Sequence, residues 1–376
     1  MLGLTMKIRQ NIEAGISEIQ GTGSVCRDKV LNELRKACGP IILRALDDKD
    51  VVEIMINPDG KLWIESYNQG MSEAQSDFPA EATERILLIS VALQKSDIGT
   101  DMGLIEGEFP LGSARIAGVL PPLANAPTIA IRKHSPVVLS LSDYRKSGII
   151  KPIGFTAMRL VSGIASYKRS FEHPIEAIRE AVVMRKNILI VGGTGSGKTT
   201  LANTILHEIS LQCPHDRIVA IEDTMELQLN NANRALLRTS KDVDMRRLLR
   251  TTMRLRPDRI VVGEIRGGEA YTLLKSWNSG HPGGVTTMHA NSSEEGLQKL
   301  AHYIYEDETA QGFTPDTIGW MIAKSVNLVV VIEKIAMEPG RMVTEICEVS
   351  GFMNGRYNMN VLCLQSNGYC EFKPRI

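Results

Sequence analysis

Apolar residues keep one rhythm up to about position 132 and a different one beyond about position 153. In the first stretch Val30, Leu31, Leu34, Ile41, Ile42 and Leu46 recur at helical spacing across Gly39-Pro40, which predicts a broken helix. Two apolar-rich runs, VVEIMI and KLWIES, flank Asn57-Pro58-Asp59-Gly60. Proline presets one turn dihedral and glycine tolerates a positive one, so this segment predicts a hairpin. A helix is expected from Glu81 to Leu93, then short strand-like pieces as far as Arg132. Residues 1–28 carry no sustained period and are expected to be a tail, which leaves 29–134 as a small α+β domain. Two prolines and a Lys-Ser-Gly segment interrupt any period over 135–152, the expected linker. From 153 to 376 short apolar runs alternate with longer helical patterns, the mark of a parallel sheet flanked by helices. Asn187 to Val191, Ile218 to Ile221, Ile260 to Val262 and Val285 to Met288 are its clearest strands.

Length agrees with two domains, since 376 residues exceed the common domain size of about 100–150. Charge narrows the function: 43 Lys+Arg balance 43 Asp+Glu, so binding of nucleic acid by bulk charge is not expected. The longest apolar runs, near Ile86–Leu93 and Val326–Ile332, fall well short of the roughly 18 residues that span a bilayer. The opening MLGLTMKIRQ lacks the layout of an export signal. Six scattered cysteines with no C-x-x-C argue against a zinc knuckle or a disulfide framework, and reduced thiols are expected.

Gly192-Gly193-Thr194-Gly195-Ser196-Gly197-Lys198-Thr199 fits the P-loop pattern G-x-x-x-x-G-K-[ST]. Glycines let successive N–H groups converge on phosphate oxygens; Lys198 would neutralise the β and γ charge, and the Thr199 hydroxyl would hold Mg²⁺. An apolar strand, NILIV, leads in, and a helix with Leu201, Ile205 and Ile209 on one face leads out as far as Pro214. The fold class is therefore read as α/β: a C-terminal P-loop (RecA-like) parallel-sheet domain preceded by a smaller α+β domain.

Ligands of such sheets sit beyond the carboxyl ends of the strands. There the second strand delivers Glu222-Asp223, the third Glu264 after Gly263, and the fourth His289. Glu264 has the length to reach the attacking water or a water on the metal, and His289 to sense the γ-phosphate. Gly263 stands where many P-loop proteins carry a metal-holding aspartate, so the division of labour between Glu222 and Glu264 stays open. Residues 241–266 hold eight basic and four acidic side chains. Met245, Leu248, Leu249 and Leu255 trace an apolar stripe that leaves Arg246, Arg247 and Arg250 on a polar face.

Taken in order, GGTGSGKTT, IEDTMEL, LRLRPDRIVVGEIRGGEA and GGVTTMHA resemble the Walker A, Asp box, Walker B and His box of the secretion and traffic ATPases. LDDKDVVEIMINPDGKLWIE, ARIAGVLPP, IAIRKHSP and GHPGG are similar to the TrbB kind of conjugal-transfer ATPase in the type IV secretion branch. The resemblance implies nucleotide contacts from Gly192 to Thr200, catalytic or metal roles for Glu222 and Glu264, and a switch role for His289. It also implies that Arg115 and Arg132 reach the γ-phosphate from the N-terminal domain. Strand alternation in TIAIRK agrees, because it sets Arg132 on the face opposite Ile129 and Ile131. ATP and Mg²⁺ are the implied cofactors. The implied assembly is a homo-hexamer, cytoplasmic and peripheral at the inner membrane of a bacterium, with secretion or conjugation components as partners. A pilus assembly or retraction motor is the alternative within the family. A nucleic-acid-translocating motor is the alternative outside it, disfavoured by zero net charge and 5% aromatics.

Overall fold

The computed structural model describes residues 23–67, 69–93, 103–112, 114–133, 138–151, 173–336, 338–366 and 369–371. These fall into two compact units, Met1–Pro136 and Val137–Ile376.

In the first unit, helix α1 (Gly23–Asp47) kinks at Gly39, whose φ of 68° no helix permits. It starts within the range expected as tail, and residues 1–22 lie outside the described set. The hairpin forms as expected: β1 (Val51–Ile56) pairs antiparallel with β2 (Lys61–Ser66), and Gly60 N–H closes the turn on Asn57 C=O at 2.9 Å. Strand β3 (Gly70–Asp77), helix α2 (Ala80–Leu93) and strands β4 (Leu104–Phe109), β5 (Ala114–Val119) and β6 (Thr128–Arg132) follow. The sheet runs β3-β2-β1-β6-β5-β4. Leu34, Cys38 and Ile42 of α1 and Ile86 and Leu87 of α2 pack on its Ile54, Ile116 and Ile131. Helix and sheet meet closely: a Cβ on Gly118 would lie 2.1 Å from Leu87 Cδ2, so any side chain there would have to displace the buried Leu87.

The second unit begins earlier than expected. Residues 138–151, read as linker, instead form helix α3 (Leu141–Lys146), capped by reciprocal Ser140 and Asp143 hydrogen bonds. Leu141, Tyr144 and Ile150 are buried in this unit's core, and Val343 N–H donates to Ile149 C=O at 2.8 Å. Prolines near the segment's ends masked a capping box and three apolar anchors inside it.

Helix α4 (Pro174–Val183), β7 (Ile188–Val191), helix α5 (Lys198–Gln212), β8 (Ile218–Glu222), β9 (Arg234–Arg238), helix α6 (Met245–Thr252), β10 (Arg259–Glu264), helix α7 (Glu269–Asn278) and β11 (Val285–Met288) come next. Helices α8 (Ser293–Tyr305) and α9 (Pro315–Ser325) lead to β12 (Leu328–Lys334), β13 (Arg341–Met353), β14 (Arg356–Ser366) and β15 (Tyr369–Glu371). The described sheet runs β15-β14-β13-β12-β7-β11-β10-β8-β9. Strands β12 to β9 in that row are parallel, which brings their carboxyl ends to one edge, and β13 to β15 extend it antiparallel. Apolar residues on both faces of β7, β8, β10 and β11 feed two cores, as a sheet covered by helices requires. Cys38 and Cys213 are free thiols and Cys363 is disulfide-bonded, which corrects the expectation of reduced thiols throughout.

The opposite edge of the sheet holds a buried polar knot. Arg259, fully buried, donates to Asp216 Oδ2 at 2.6 Å, to Val182 C=O at 3.0 Å and to Gly283 C=O at 3.2 Å. Arg185 meets the other oxygen of Asp216 at 2.5 Å. Gly283 (φ 87°) and Gly284 both donate to Asn187 Oδ1, and a Cβ on Gly284 would lie 2.1 Å from Trp277 Nε1. GHPGG is thus a packing junction far along the strands from the P-loop. Arg246 likewise turns inward, toward Asp307 at 3.6 Å, whereas Arg247 and Arg250 are exposed. Leu255 lies beyond the end of α6.

Candidate functional site

Strand order decides the site. Because β7, β11, β10 and β8 are successive neighbours, the P-loop, His289, Glu264 and Glu222 arrive side by side at one sheet edge.

The loop uses its glycines in two ways. A Cβ on Gly193 or Gly195 would meet nothing within 4 Å, so this side is open to a ligand. A Cβ on Gly192 would lie 2.2 Å from Ile332 O and 2.6 Å from Ser196 Oγ, so this side is packed. Gly195 and Gly197 adopt φ of 70° and 97°, a turn open to glycine at little cost. Ser196 Oγ is buried with no hydrogen-bond partner, a polar atom left for an incoming group. Gly193, Thr194, Ser196, Asn291, Glu333 and Lys334 line a cavity of about 320 Å³. Thr199 and Thr200, both half-buried, open α5 with their N–H groups in its first turn. These features fit phosphate: free N–H groups, a positive helix end and a lysine at its base.

Lys198, only 8% exposed, sets its ammonium against Gly193 C=O at 2.9 Å, Gly192 C=O at 3.1 Å and His289 Nδ1 at 3.3 Å. On its other side His289 Nε2 meets Glu264 Oε1 at 3.1 Å. An ammonium donor facing Nδ1 and a carboxylate facing Nε2 assign the neutral ring with its proton on Nε2. Burial first, then the Lys198 ammonium, hold this imidazole below its ordinary pKa, against the pull of Glu264. Arg266, which the sequence reading did not single out, grips Glu264 Oε2 at 2.8 Å from Nε and 2.5 Å from Nη2 and reaches Asp223 at 3.5 Å. Its only sequence signal is its place two residues past Glu264.

His289 yields a pH prediction. An unfolded histidine titrates near about 6.5. With the folded value lower, the unfolded chain binds the extra proton first, so stability is full above that pH and declines as pH falls through it. Urea midpoints at pH 7.5 and 5.5 should therefore differ more for the wild-type chain than for His289→Asn; equal differences would refute it.

Glu222 is 4% exposed, and its Oε1 accepts N–H bonds from Glu226 and Leu227, each at 3.0 Å. Gly263 makes room for it: a Cβ there would sit 3.0 Å from Glu222 Cγ. The carboxylate that occupies this corner of the site comes from β8 instead of β10. Among the described residues no group of three or more His, Cys, Asp or Glu stands ready to cage a metal ion.

Arg115 and Arg132 belong to the first unit, where antiparallel register sets them directly opposite each other. Glu108 stands opposite Arg115 and Glu53 opposite Arg132, so a row Glu108–Arg115–Arg132–Glu53 crosses four strands. Burial pushes the Glu53 carboxyl up and Arg132 pulls it down. Arg132 is exposed and Arg115 half-buried.

A family model described as type II/IV secretion system protein matches residues 165–360. A probable conjugal transfer protein TrbB of Sinorhizobium fredii is 43% identical over 331 residues, 88% of this chain and 93% of that relative. The type IV secretion system protein VirB11 of Bartonella quintana is 30% identical over 325 residues, 80% of this chain and 89% of that relative. The solved ATPase DotB of Yersinia pseudotuberculosis shares the fold, with a TM-score of 0.54 at 16% identity over 81% of this chain and 76% of that one.

Proposed function

The chain belongs to the type II/IV secretion system protein family, and from that premise we propose that it is a magnesium-dependent ATP hydrolase that drives type IV secretion or conjugative transfer. The observation that carries this reading is the contact line Lys198–His289–Glu264 along adjacent strand ends beside the P-loop. Lys198 and the loop N–H groups hold the phosphates, Thr199 takes the metal, and Glu264 orients the attacking water. Glu222 shapes the loop after β8 through its two backbone bonds, which leaves the water to Glu264. His289, touching both Lys198 and Glu264, reports the presence of the γ-phosphate to the sheet.

In this proposal Arg115 and Arg132 supply further cations to the γ-phosphate. Register sets the two arginines side by side with a glutamate flanking each, so a phosphate that reached them would meet two adjacent cations and compete with Glu108 and Glu53 for them. Binding would draw the two units together and hydrolysis release them, a hinge motion with phosphate contacts as its differential energy. Six copies in a ring, cytoplasmic and docked at the inner membrane, would act in turn on transfer-channel components. No described helix is long and apolar enough to cross a membrane.

Steady-state phosphate release tests the enzyme. Glu264→Gln is expected to cut it by about 10²-fold or more while ADP still binds, the scale of a lost general base; wild-type turnover in this variant sinks the assignment. Native mass with and without ATP tests the hexamer.

A further inference from the structure

The hairpin of β12 and β13 walls the P-loop on its packed side. Ile332 C=O of β12 abuts Gly192, and Ile332 Cδ1 lies 3.6 Å from the Cβ position of Gly197. Arg341 opens β13 directly opposite Lys334, which itself lines the phosphate cavity. The Arg341 side chain crosses to the loop: Cδ lies 3.0 Å from the Cβ position of Gly197, and Nε donates to Gly195 C=O at 3.3 Å. One side chain thus touches both left-handed residues of the loop, Gly195 and Gly197.

That contact matters because the loop is otherwise permissive. Glycine-rich backbone loses much conformational freedom when it orders, and a ligand's affinity falls with the fraction of molecules already in the receptive shape. A peptide unit is planar and trans, so fixing the Gly195 carbonyl also fixes the direction of Ser196 N–H, which closes on Gly193 C=O at 3.4 Å. Arginine suits the task, being permanently charged, with its N–H donors in a rigid fork on an apolar stem.

We infer that Arg341 is a positioning residue that holds the P-loop in its phosphate-receptive curl, and so sets affinity for the nucleotide's phosphates while leaving the rate of bond cleavage to Glu264. The inference rests on the reading of the P-loop as the ATP site.

The test uses the full chain with Mg²⁺, reading ADP affinity by titration calorimetry together with kcat and KM for ATP. Arg341→Ala is expected to weaken ADP and raise KM by about tenfold, the scale of one charge-assisted hydrogen bond, with kcat within about threefold of wild type. Arg341→Lys keeps a stem over Gly197 but has no donor at the Nε position, so it should be as weak as Arg341→Ala. It carries the test if the alanine variant does not fold. Unchanged affinity in the variants, a loss confined to kcat, or full recovery by lysine overturns the inference alone. A wild-type chain that binds no ADP overturns it together with the reading it rests on.

Discussion

Lys198→Ala is expected to lower steady-state ATP hydrolysis by about 10²- to 10³-fold, the usual effect of deleting one electrostatic contact to a transition state. The structure places Lys198 where the two nearby arginines, Arg266 and Arg341, do not substitute for it. Lys198 sits at the loop's base, its ammonium resting on two loop carbonyls and on His289 Nδ1. These are weak neutral acceptors, readily exchanged for phosphate oxygens, so the cation is already in place when the nucleotide arrives. Arg266 is committed to Glu264, and Arg341 to the loop's packed side. Phosphate release by purified protein at saturating ATP is the measurement, and turnover within tenfold of wild type would rule out the assigned role. Removing the ammonium also leaves His289 Nδ1 without its donor, so in this variant the imidazole titrates closer to its ordinary value.

The largest expected loss of stability lies at the far edge of the same sheet. Arg259→Met should destabilise the second unit by about 3 kcal/mol, toward the lower end of what breaking one side of a buried ion pair costs. Methionine fills the volume but leaves Asp216 buried with Arg185 as its remaining guanidinium partner, and it frees the carbonyls of Val182 and Gly283. Those carbonyls tie the end of α4 and the GHPGG turn to the start of β10, so three elements loosen together. The urea midpoint of the second unit reads the effect; a shift worth less than about 1 kcal/mol would mean the pair contributes little more than an exposed one. The double change Arg259→Met with Asp216→Asn should recover part of the loss, because the stranded buried charge is then gone.

These two sites mark the range of what was legible in the chain. The P-loop was, because phosphate binding is a local demand: glycines at fixed offsets, a lysine and a hydroxyl residue between a strand and a helix. The hairpin at Asn57–Gly60 and helix α2 were legible for the same reason, as turn chemistry and apolar period operate over a few residues. Capping of α3 is just as local, yet the prolines around 135–152 interrupt the apolar period that would reveal it, so in one dimension the segment has the look of a linker.

Arg259 and Arg246 had no such signal. Each belongs to an arginine-rich run whose members look alike in one dimension, and depth of burial alone separates the knot at Asp216 from the exposed Arg247 and Arg250. Arg341 was less visible still, since the loop it touches lies in another part of the chain. The acids and imidazole at strand ends were suspected from the sequence, but their roles separated only with sheet order. Placing β11 between β7 and β10 sets His289 between Lys198 and Glu264, and a side-chain-free Gly263 admits Glu222 from β8.

The switch of apolar rhythm and the P-loop pattern are enough to point to two units and a parallel sheet that ends in a glycine-rich loop, because period and loop chemistry are properties of neighbouring residues. Which carboxylate meets the histidine, which arginine is buried and which braces the loop depended on strands meeting across long stretches of chain. Such contacts are set by the packing of the whole sheet, and no short window of sequence contains them.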